Sequence, residues 1–138
     1  MNAIDTNILV YAFDVLEPIK QPQARQFIRS RVSAADSVLL WQVAAEFLGC
    51  LRRWQSTGRV SPNDVVSYFD EILMYFPLVI PAREVLLHSQ RLMARYRLSH
   101  WDSMVVAASS EAVVDTLYSE DMQHAQVYDG VTVINPFV

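Results

Sequence analysis

The 138-residue sequence has one cysteine, Cys50, so no disulfide bond can form within a single chain. It has only three glycines, which are too few and too widely spaced to form a glycine-rich phosphate-binding loop. No pair of histidines or cysteines has the spacing of a structural zinc site. These absences exclude disulfide-stabilised scaffolds, glycine-rich nucleotide-binding loops and zinc-stabilised domains.

Positive charge is also scarce, because Lys20 is the single lysine and the net charge is −4. Proteins that simply coat nucleic acid are usually basic, so this balance disfavours that class. It does not exclude a nuclease, whose acidic metal site can outweigh local basic groups. A signalling receiver domain needs a lysine near the end of a late strand, and the early position of Lys20 disfavours it.

Long apolar runs are absent as well. The first residues, MNAIDTN, lack the basic region and apolar stretch of a secretory signal peptide. No apolar run approaches the roughly 18 residues of a membrane span. A single cysteine fits a reducing compartment. We therefore expect a soluble, cytoplasmic protein.

Apolar residues are abundant and fall in short alternating segments. They make up 52% of the chain, which suffices for one well-packed domain over residues 1–138. Short apolar runs predict about five strands, at 2–5, 37–41, 77–80, 115–119 and 131–135. Helical spacing predicts helices at 6–13, 21–32, 42–55, 61–76, 82–97 and 99–113. This alternation predicts an α/β fold with a mostly parallel sheet covered by helices.

Four acidic residues fall where parallel sheets carry functional groups. Asp5 and Asp121 each follow a predicted strand, at the carboxyl end where such sheets bind ligands. Glu46 lies just beside the apolar stripe of its helix, and Asp102 lies in the first turn of another. Each also has an ordinary alternative role: helix N-cap for Asp5, solvated position for Glu46, capping-box partner of Ser99 for Asp102, and turn residue for Asp121.

Taken together, the four acids predict a cation site. Carboxylates within about 5 Å repel one another, and their pKa values rise unless a cation compensates. Mg²⁺ or Mn²⁺ is the natural partner of such an oxygen donor set.

The order of these acids resembles that of a known family. DTN after the first strand, AEF in a mid-chain helix, WDS at the start of a late helix and YSEDMQH after the fourth strand resemble the PIN-domain ribonucleases. The ending GVTVINPF is similar to that of VapC-type toxins of bacterial toxin–antitoxin pairs. The resemblance runs from Asn2 to Phe137 and implies a single-domain, three-layer PIN-like sandwich. Ala125 departs from the pattern, because family members often have glycine there.

The resemblance also implies a site and an activity. The catalytic and metal-binding acids would be Asp5, Glu46, Asp102 and Asp121, with Glu120 as a substitute for Asp121, and Thr6 and Ser119 would be the supporting hydroxyls. The implied activity is a Mg²⁺- or Mn²⁺-dependent endoribonuclease that leaves a 5′-phosphate. The implied partners are RNA, a second copy of the chain, and a cognate antitoxin that lies in an apolar groove and blocks the site.

Arginines are the candidate RNA-binding groups. One pair follows Glu46 by about two helical turns and another pair is spaced i,i+4 on a later helix: Arg52, Arg53, Arg91 and Arg95. They could contact phosphates or stack on a base. The alternative is that both pairs form ordinary solvated helix faces.

Two other functions remain open from the residues alone. One is a PIN-like binding module that has lost catalysis. The other is a metal-independent ribonuclease in which His100, His124 and Lys20 act as acid, base and phosphate holder. The sequence spacing of His100, His124 and Lys20 does not support a common site for these three residues.

The segment 65–76 contains more apolar residues than one buried helix stripe needs. The excess predicts a second buried face, covered by another copy of the chain or by a partner peptide. A helix at the centre of the domain is the alternative. Trp41, Phe69 and Met74 are expected in the core, and Cys50 is expected to be a small buried hydrophobe.

Overall fold

The computed structural model describes every residue from Met1 to Val138. The strands are β1 (Asn2–Ile4), β2 (Ser37–Leu40), β3 (Leu78–Val79), β4 (Thr116–Tyr118), β5 (Val127–Tyr128) and β6 (Val131–Ile134). The helices are α1 (Thr6–Phe13), α2 (Lys20–Ala34), α3 (Trp41–Ser56), α4 (Pro62–Tyr75), α5 (Arg83–Tyr96) and α6 (His100–Glu111). Every predicted helix is confirmed, with ends that differ by at most two residues.

The strands form one sheet in the order β3-β2-β1-β4-β6-β5. All neighbouring strands are parallel except β5 and β6. Parallel neighbours need crossover connections, and helices supply them for the pairs β1–β2, β2–β3 and β1–β4. The parallel strands β4 and β6 are instead joined by the segment that contains β5. The predicted α/β class, a three-layer sandwich with a mostly parallel sheet, is therefore confirmed.

The sheet has six strands, whereas about five were expected. The additional strand, β5, lies in a segment expected to be a loop, and it pairs antiparallel with β6. Asp129 and Gly130 connect the two strands, and their φ angles are 46° and 85°. Positive φ at both positions is what a two-residue hairpin turn of type I′ requires, and Asp-Gly is its sequence signal. The two residues of β5 are too few to be recognised as an apolar run.

The core lies between the central strands and the helices. β2 is buried along its whole length, and Leu117 of β4 is fully buried. From α3, Phe47 is fully buried with its ring 5.5 Å from that of Phe13 and 6.3 Å from that of the partly buried Phe69. Cys50 is buried, as predicted.

Two residues expected in the core lie on the surface instead. Trp41 is 51% exposed and Met74 is 83% exposed. Each is two residues, or about 200° of helical rotation, from a buried residue of its own helix, Val43 and Ile72 respectively. Both side chains therefore lie on the opposite side of their helices from the buried stripe.

Helix α4 begins as predicted and carries an apolar surface. The Ser61 hydroxyl accepts a hydrogen bond from the Asp64 N–H, and the Asp64 carboxylate accepts one from the Ser61 N–H. Val65 and Ile72 are buried, whereas Val66 is 60% exposed. A position at the centre of the domain is thus excluded, and covering of the exposed face by a partner stays a prediction. Neither α4 nor any other helix is long and apolar enough to cross a lipid bilayer.

Candidate active site

Asp5 lies at the junction between β1 and α1, and it is buried. Its Oδ1 accepts a hydrogen bond from the Thr6 backbone N–H at 2.8 Å. Its Oδ2 accepts one from the Ser119 hydroxyl at 2.7 Å. Asp5 is therefore the N-cap of α1, as its ordinary interpretation predicted, but only one of its two oxygens serves the cap.

The register of two parallel strands brings Ser119 to Asp5. β1 pairs with β4 so that Ile4 lies opposite Tyr118, and the Asp5 N–H donates to the Tyr118 carbonyl at 2.8 Å. The residues that follow these strands consequently lie at the same sheet edge. The fully buried Ser119 hydroxyl also accepts a hydrogen bond from the Asp121 N–H at 3.2 Å. One hydroxyl thus connects Asp5 to the loop that carries Asp121.

Burial raises the pKa of Asp5 from 3.8 to about 6. The hydrogen bonds from Ser119 and Thr6 lower this pKa, whereas the charges of Asp121 and Glu46 raise it further. Three acids that are far apart in the sequence therefore interact electrostatically in the fold. A nearby cation would stabilise the charged form of Asp5.

Glu46 extends from α3 toward the start of α1. Its Oε2 accepts a hydrogen bond from the Thr6 hydroxyl at 3.1 Å, and its Oε1 accepts one from the Gln42 side-chain amide at 2.8 Å. Thr6 therefore binds two acids, Asp5 through its N–H and Glu46 through its hydroxyl. This contact orients Glu46 even though the residue is exposed.

Glu46 and Asp121 line a cleft of about 600 Å³. This volume is within the range of ligand pockets, roughly 300–1,000 Å³. Its lining, which defines what we name the acid cleft, is Thr6, Asn7, Val10, Tyr11, Glu46, Gly49, Cys50, Arg53, Trp101 and Asp121. Arg53 is the single basic residue among them. The acid cleft thus combines carboxylates, one guanidinium group and aromatic rings.

The charges that raise the pKa of Asp5 are those of Asp121 and Glu46, not that of Asp102. Like Asp5, Asp102 does not line the acid cleft, although its neighbour Trp101 does. The Asp102 N–H donates to the Ser99 hydroxyl at 3.2 Å, but its carboxylate does not bond back to Ser99, so no capping box forms. Burial raises the pKa of Tyr128, and the charge of Asp102 raises it further. The Asp102 carboxylate therefore accepts no hydrogen bond from Ser99, its charge acts on Tyr128, and only its neighbour Trp101 lines the acid cleft.

The four acids offer the oxygen donors that Mg²⁺ and Mn²⁺ prefer, but they are not arranged as a ready metal site. No group of three or more His, Cys, Asp or Glu side chains lies close enough to hold one metal ion, so the expected four-carboxylate cage is not preformed. Mg²⁺ commonly keeps several waters and binds proteins through one or two carboxylates. One or two of the acids Asp5, Glu46 and Asp121 could bind a hydrated ion in this way, whereas the three together do not surround one.

Solved structures with this architecture include a chain of a toxin–antitoxin complex from Klebsiella pneumoniae. It matches with a TM-score of 0.69 at 16% sequence identity, over 99% of this chain and 98% of that chain. A chain of VapBC2 from Rickettsia felis, bound to a DNA fragment from its promoter, matches with a TM-score of 0.69 at 12% identity, over 96% of both chains. A protein from Pyrobaculum aerophilum matches with a TM-score of 0.65 at 14% identity, over 96% of this chain and 90% of that chain.

The chain has a PIN-like fold. The architecture implied by the resemblance is therefore confirmed. No protein-family model and no curated protein matches the sequence. At the identities of these structures, the likeness is one of fold, and activity has to be argued from the site.

Within this PIN-like fold, Asp121 and Glu120 occupy different environments. Glu120 forms an ion pair with Lys20. Burial acts to raise the pKa of Glu120, but hydrogen bonds from Lys20 and Tyr11 and the charge of Lys20 outweigh it, and the pKa is lowered. Asp121 lines the acid cleft, whereas Glu120 does not. The structure therefore favours Asp121 over Glu120 as the fourth acid.

The four candidate RNA-binding arginines separate into different places. Arg53 lines the acid cleft, whereas Arg52, Arg91 and Arg95 do not. Arg95 donates a hydrogen bond at 3.0 Å to Asp129, which precedes β6 and therefore lies at the opposite edge of the sheet from Asp5. Arg53 is therefore the arginine whose position supports a phosphate contact at the cleft.

The PIN-like fold does not assemble the histidine-based site. Lys20 pairs with Glu120, and the Nδ1 of His124 accepts a hydrogen bond from the Asn135 N–H at 3.0 Å. The ring of His100 packs edge-on against Trp101. None of the three lines the acid cleft, so the structure offers this alternative no support.

Gln42 is a site residue that the sequence interpretation missed. Its side-chain amide donates to Glu46 at 2.8 Å and to the Trp101 carbonyl at 3.4 Å, which links α3 to the start of α6. The i,i+4 spacing of Gln42 and Glu46 is the signal that could have identified the first contact. The contact with Trp101 depends on how the two helices pack and has no sequence signal.

Replacing Ser119 with alanine should destabilise the protein more when Asp5 is charged. The lost hydrogen bond is expected to cost about 1.5–3 kcal/mol at about pH 8, and less at about pH 4, where a neutral carboxyl accepts it. Ser109→Ala is the matched control, because Ser109 is equally buried but donates to the neutral Val105 carbonyl. Urea unfolding at both pH values measures the difference. Equal losses for Ser119→Ala at both pH values would contradict this role.

Proposed function

We propose that this protein is a Mg²⁺- or Mn²⁺-dependent endoribonuclease and the toxin of a toxin–antitoxin pair. The observation that carries the proposal is that the buried Asp5 interacts electrostatically with Glu46 and Asp121, two acids that line the acid cleft together with its single basic residue, Arg53. The fold shared with chains of two toxin–antitoxin assemblies supports the second half of the proposal.

The proposed chemistry divides the work between the ion and the protein. A bound divalent cation would supply Lewis acidity and lower the pKa of a bound water. Thr6 and Ser119 hold the two Asp5 oxygens in place, and Thr6 and Gln42 hold those of Glu46. These contacts reduce the reorganisation needed when the carboxylates receive the ion. Arg53 offers a bidentate donor to a phosphate group.

Metal binding and RNA binding are coupled in this proposal. The carboxylates of the acid cleft repel a polyanion, and the protein as a whole carries a net charge of −4. A divalent cation would remove part of this repulsion and bridge the carboxylates to a phosphate oxygen. RNA affinity is therefore expected to fall when the divalent ion is removed.

The proposed partners are a second copy of the chain and a cognate antitoxin. Apolar residues of α4 and the segment that follows it are exposed, among them Val66, Met74, Leu78 and Ile80. Monomeric proteins rarely expose such groups as a continuous patch unless a partner covers them. Inhibition by an antitoxin, action in the cytoplasm, and assembly into homodimers or hetero-oligomers belong to this proposal.

Cleavage of total RNA is the test of the proposed activity. Purified protein should cut RNA in the presence of Mg²⁺ or Mn²⁺, EDTA should stop the reaction, and added Mg²⁺ should restore it. End mapping should find 5′-phosphates. Cleavage that persists in EDTA would contradict metal dependence. Intact RNA under all divalent ions would instead identify a PIN-like binding module without catalysis, which the absence of a preformed metal cage favours as the second candidate.

Asp102→Asn tests whether Asp102, which does not line the acid cleft, takes part in the reaction. If Asp102 is a metal ligand, its replacement should lower the rate of RNA cleavage by at least about 10–100-fold. Replacing groups that only orient a metal ligand already lowers activity by that much. Asp70→Asn is the matched control, because Asp70 is an exposed carboxylate on α4 that does not line the cleft. Cleavage by Asp102→Asn at the level of the control would remove Asp102 from the site.

A further inference from the structure

Trp101 is a large apolar side chain that lies open at the acid cleft. The residue is 63% exposed although it lines the cleft together with Glu46, Arg53 and Asp121. Neither a structural core role nor helix capping accounts for this position, because the indole is outside the core and Ser99 provides the cap of α6. An exposed indole beside carboxylates and a guanidinium group is suited to binding a flat aromatic ligand.

The position of Trp101 is held by its neighbours. The His100 ring packs edge-on against the indole, with 4.4 Å between ring centroids and 75° between ring planes. The Trp101 carbonyl accepts a hydrogen bond from the Gln42 side chain, which also binds Glu46. A ligand that stacks on a restrained ring loses little side-chain freedom on binding.

Charge favours a nucleotide on the cleft side of the indole. Trp101 also lines an adjoining apolar groove of about 510 Å³, whose charged residues are Glu46, Glu84 and Glu111 and which contains no lysine or arginine. Phosphates would be repelled from that groove. The acid cleft differs because it contains Arg53, and because Asp121 joins Glu46 there as a second proposed cation-binding acid.

We infer that Trp101 stacks on an unpaired nucleobase of RNA while the adjacent phosphate lies in the acid cleft. This inference rests on the proposed function and adds a base-contacting residue, Trp101. A base inside a duplex cannot stack on a side chain. Single strands, loops and bulges would therefore bind, and continuous duplexes would not. Aromatic stacking is tolerant of sequence, so Trp101 would select unpaired structure more than base identity.

Four variants separate stacking from simple apolar contact. Trp101→Phe keeps an aromatic face, Trp101→Leu keeps apolar bulk without one, and Trp101→Ala removes both. Trp41→Leu is the matched control, because Trp41 is also exposed and lines the apolar groove but not the acid cleft. The exposure of Trp101 makes folding insensitive to these changes, and thermal melts of each variant verify this.

The probe is a short single-stranded 2′-O-methyl oligonucleotide, checked for resistance to cleavage, with the same sequence as a duplex for comparison. In Mg²⁺, Trp101→Leu and Trp101→Ala should weaken the Kd for the single strand by about 10–100-fold, the size of one stacking contact. Trp101→Phe and Trp41→Leu should remain within about threefold of the original protein. Binding of the single strand should quench tryptophan fluorescence in the original protein and not in Trp101→Phe.

Several results would overturn the inference. Equal affinity of Trp101→Leu and the original protein would do so, as would equal losses in Trp101→Leu and Trp41→Leu. A change in self-association or in antitoxin binding without a change in oligonucleotide affinity would assign Trp101 to a protein interface instead. Failure of the proposed function is distinguishable: a protein that binds the single strand through Trp101 but leaves RNA intact supports the inference and refutes the nuclease.

Discussion

Replacing Asp5 with asparagine is expected to stabilise the metal-free protein by about 2 kcal/mol at about pH 8, while it lowers RNA cleavage by at least about 100-fold. The two effects have opposite signs because the buried Asp5 carboxylate would bind the cation but destabilises the folded protein when no cation is bound. Burial raises the pKa of Asp5 from 3.8 to about 6. One pKa unit corresponds to about 1.4 kcal/mol, so charging Asp5 in the folded protein costs about 3 kcal/mol.

The sign of the pH dependence follows from proton binding. Between pH 3.8 and about 6, the folded protein holds a proton on Asp5 that the unfolded chain has released. The contribution of Asp5 to stability is therefore lost as pH rises through this window, and the loss is complete above the folded pKa. Asparagine cannot ionise, so the advantage of Asp5→Asn should be full at about pH 8 and largely absent at about pH 4.

Asparagine can also preserve most of the local hydrogen bonds. Its Oδ1 can accept from the Thr6 N–H, and its Nδ2 can donate to the Ser119 hydroxyl, which has a second lone pair beside the one used by Asp121. The Ser119 hydroxyl proton then loses its acceptor, and for this reason we expect about 2 rather than about 3 kcal/mol.

Urea unfolding in EDTA at the two pH values measures the stability, and an RNA assay in Mg²⁺ measures the activity. Asp70→Asn, an exposed carboxylate on α4, is the control for both and should change neither. An Asp5→Asn variant that is less stable than the original protein at about pH 8 would contradict the buried-charge argument. RNA cleavage by Asp5→Asn at the level of the original protein would contradict the assignment of Asp5 to the active site.

Replacing Phe47 with alanine is expected to destabilise the protein by about 3–5 kcal/mol, the range for deleting a fully buried phenyl ring. Phe47 has no exposed surface, and its ring lies 5.5 Å from Phe13 and 6.3 Å from Phe69. The loss combines the transfer free energy of the ring with the cavity that its removal leaves. Since whole domains are stable by only about 5–15 kcal/mol, the variant should be close to unfolding.

Phe47→Leu and Leu86→Ala are the comparisons. Phe47→Leu refills much of the space and should cost well under half as much as alanine. Leu86 is 57% exposed on α5, so its truncation should change stability by no more than about 0.5 kcal/mol. Chemical denaturation of the three variants measures the series. A loss below about 1 kcal/mol for Phe47→Ala would mean that the core relaxes around the site more freely than close packing allows.

The exposed positions mark where prediction from the sequence was weakest. Trp41 and Met74 were expected in the core because they are large and apolar, yet both lie on the solvent side of their helices. Helical spacing identifies a stripe, but it does not say which neighbouring element covers the residues outside that stripe. β5 was missed for a different reason, because only the Asp129–Gly130 turn marks so short a strand.

The sequence by itself determined the helices, five of the six strands and the parallel α/β class, and it singled out the acids that are proposed to bind a cation. These features follow from local chemistry: periodic apolar spacing, capping residues such as Ser61 and Ser99, and acids placed after strands. Tertiary structure alone decided which acids interact. The β1–β4 register joins Asp5 to Ser119, Thr6 bridges to Glu46, and Asp102 stays outside the cleft that its neighbour Trp101 lines. Distances between residues some 40 to 115 positions apart depend on strand register and helix packing, which no local pattern in the chain encodes.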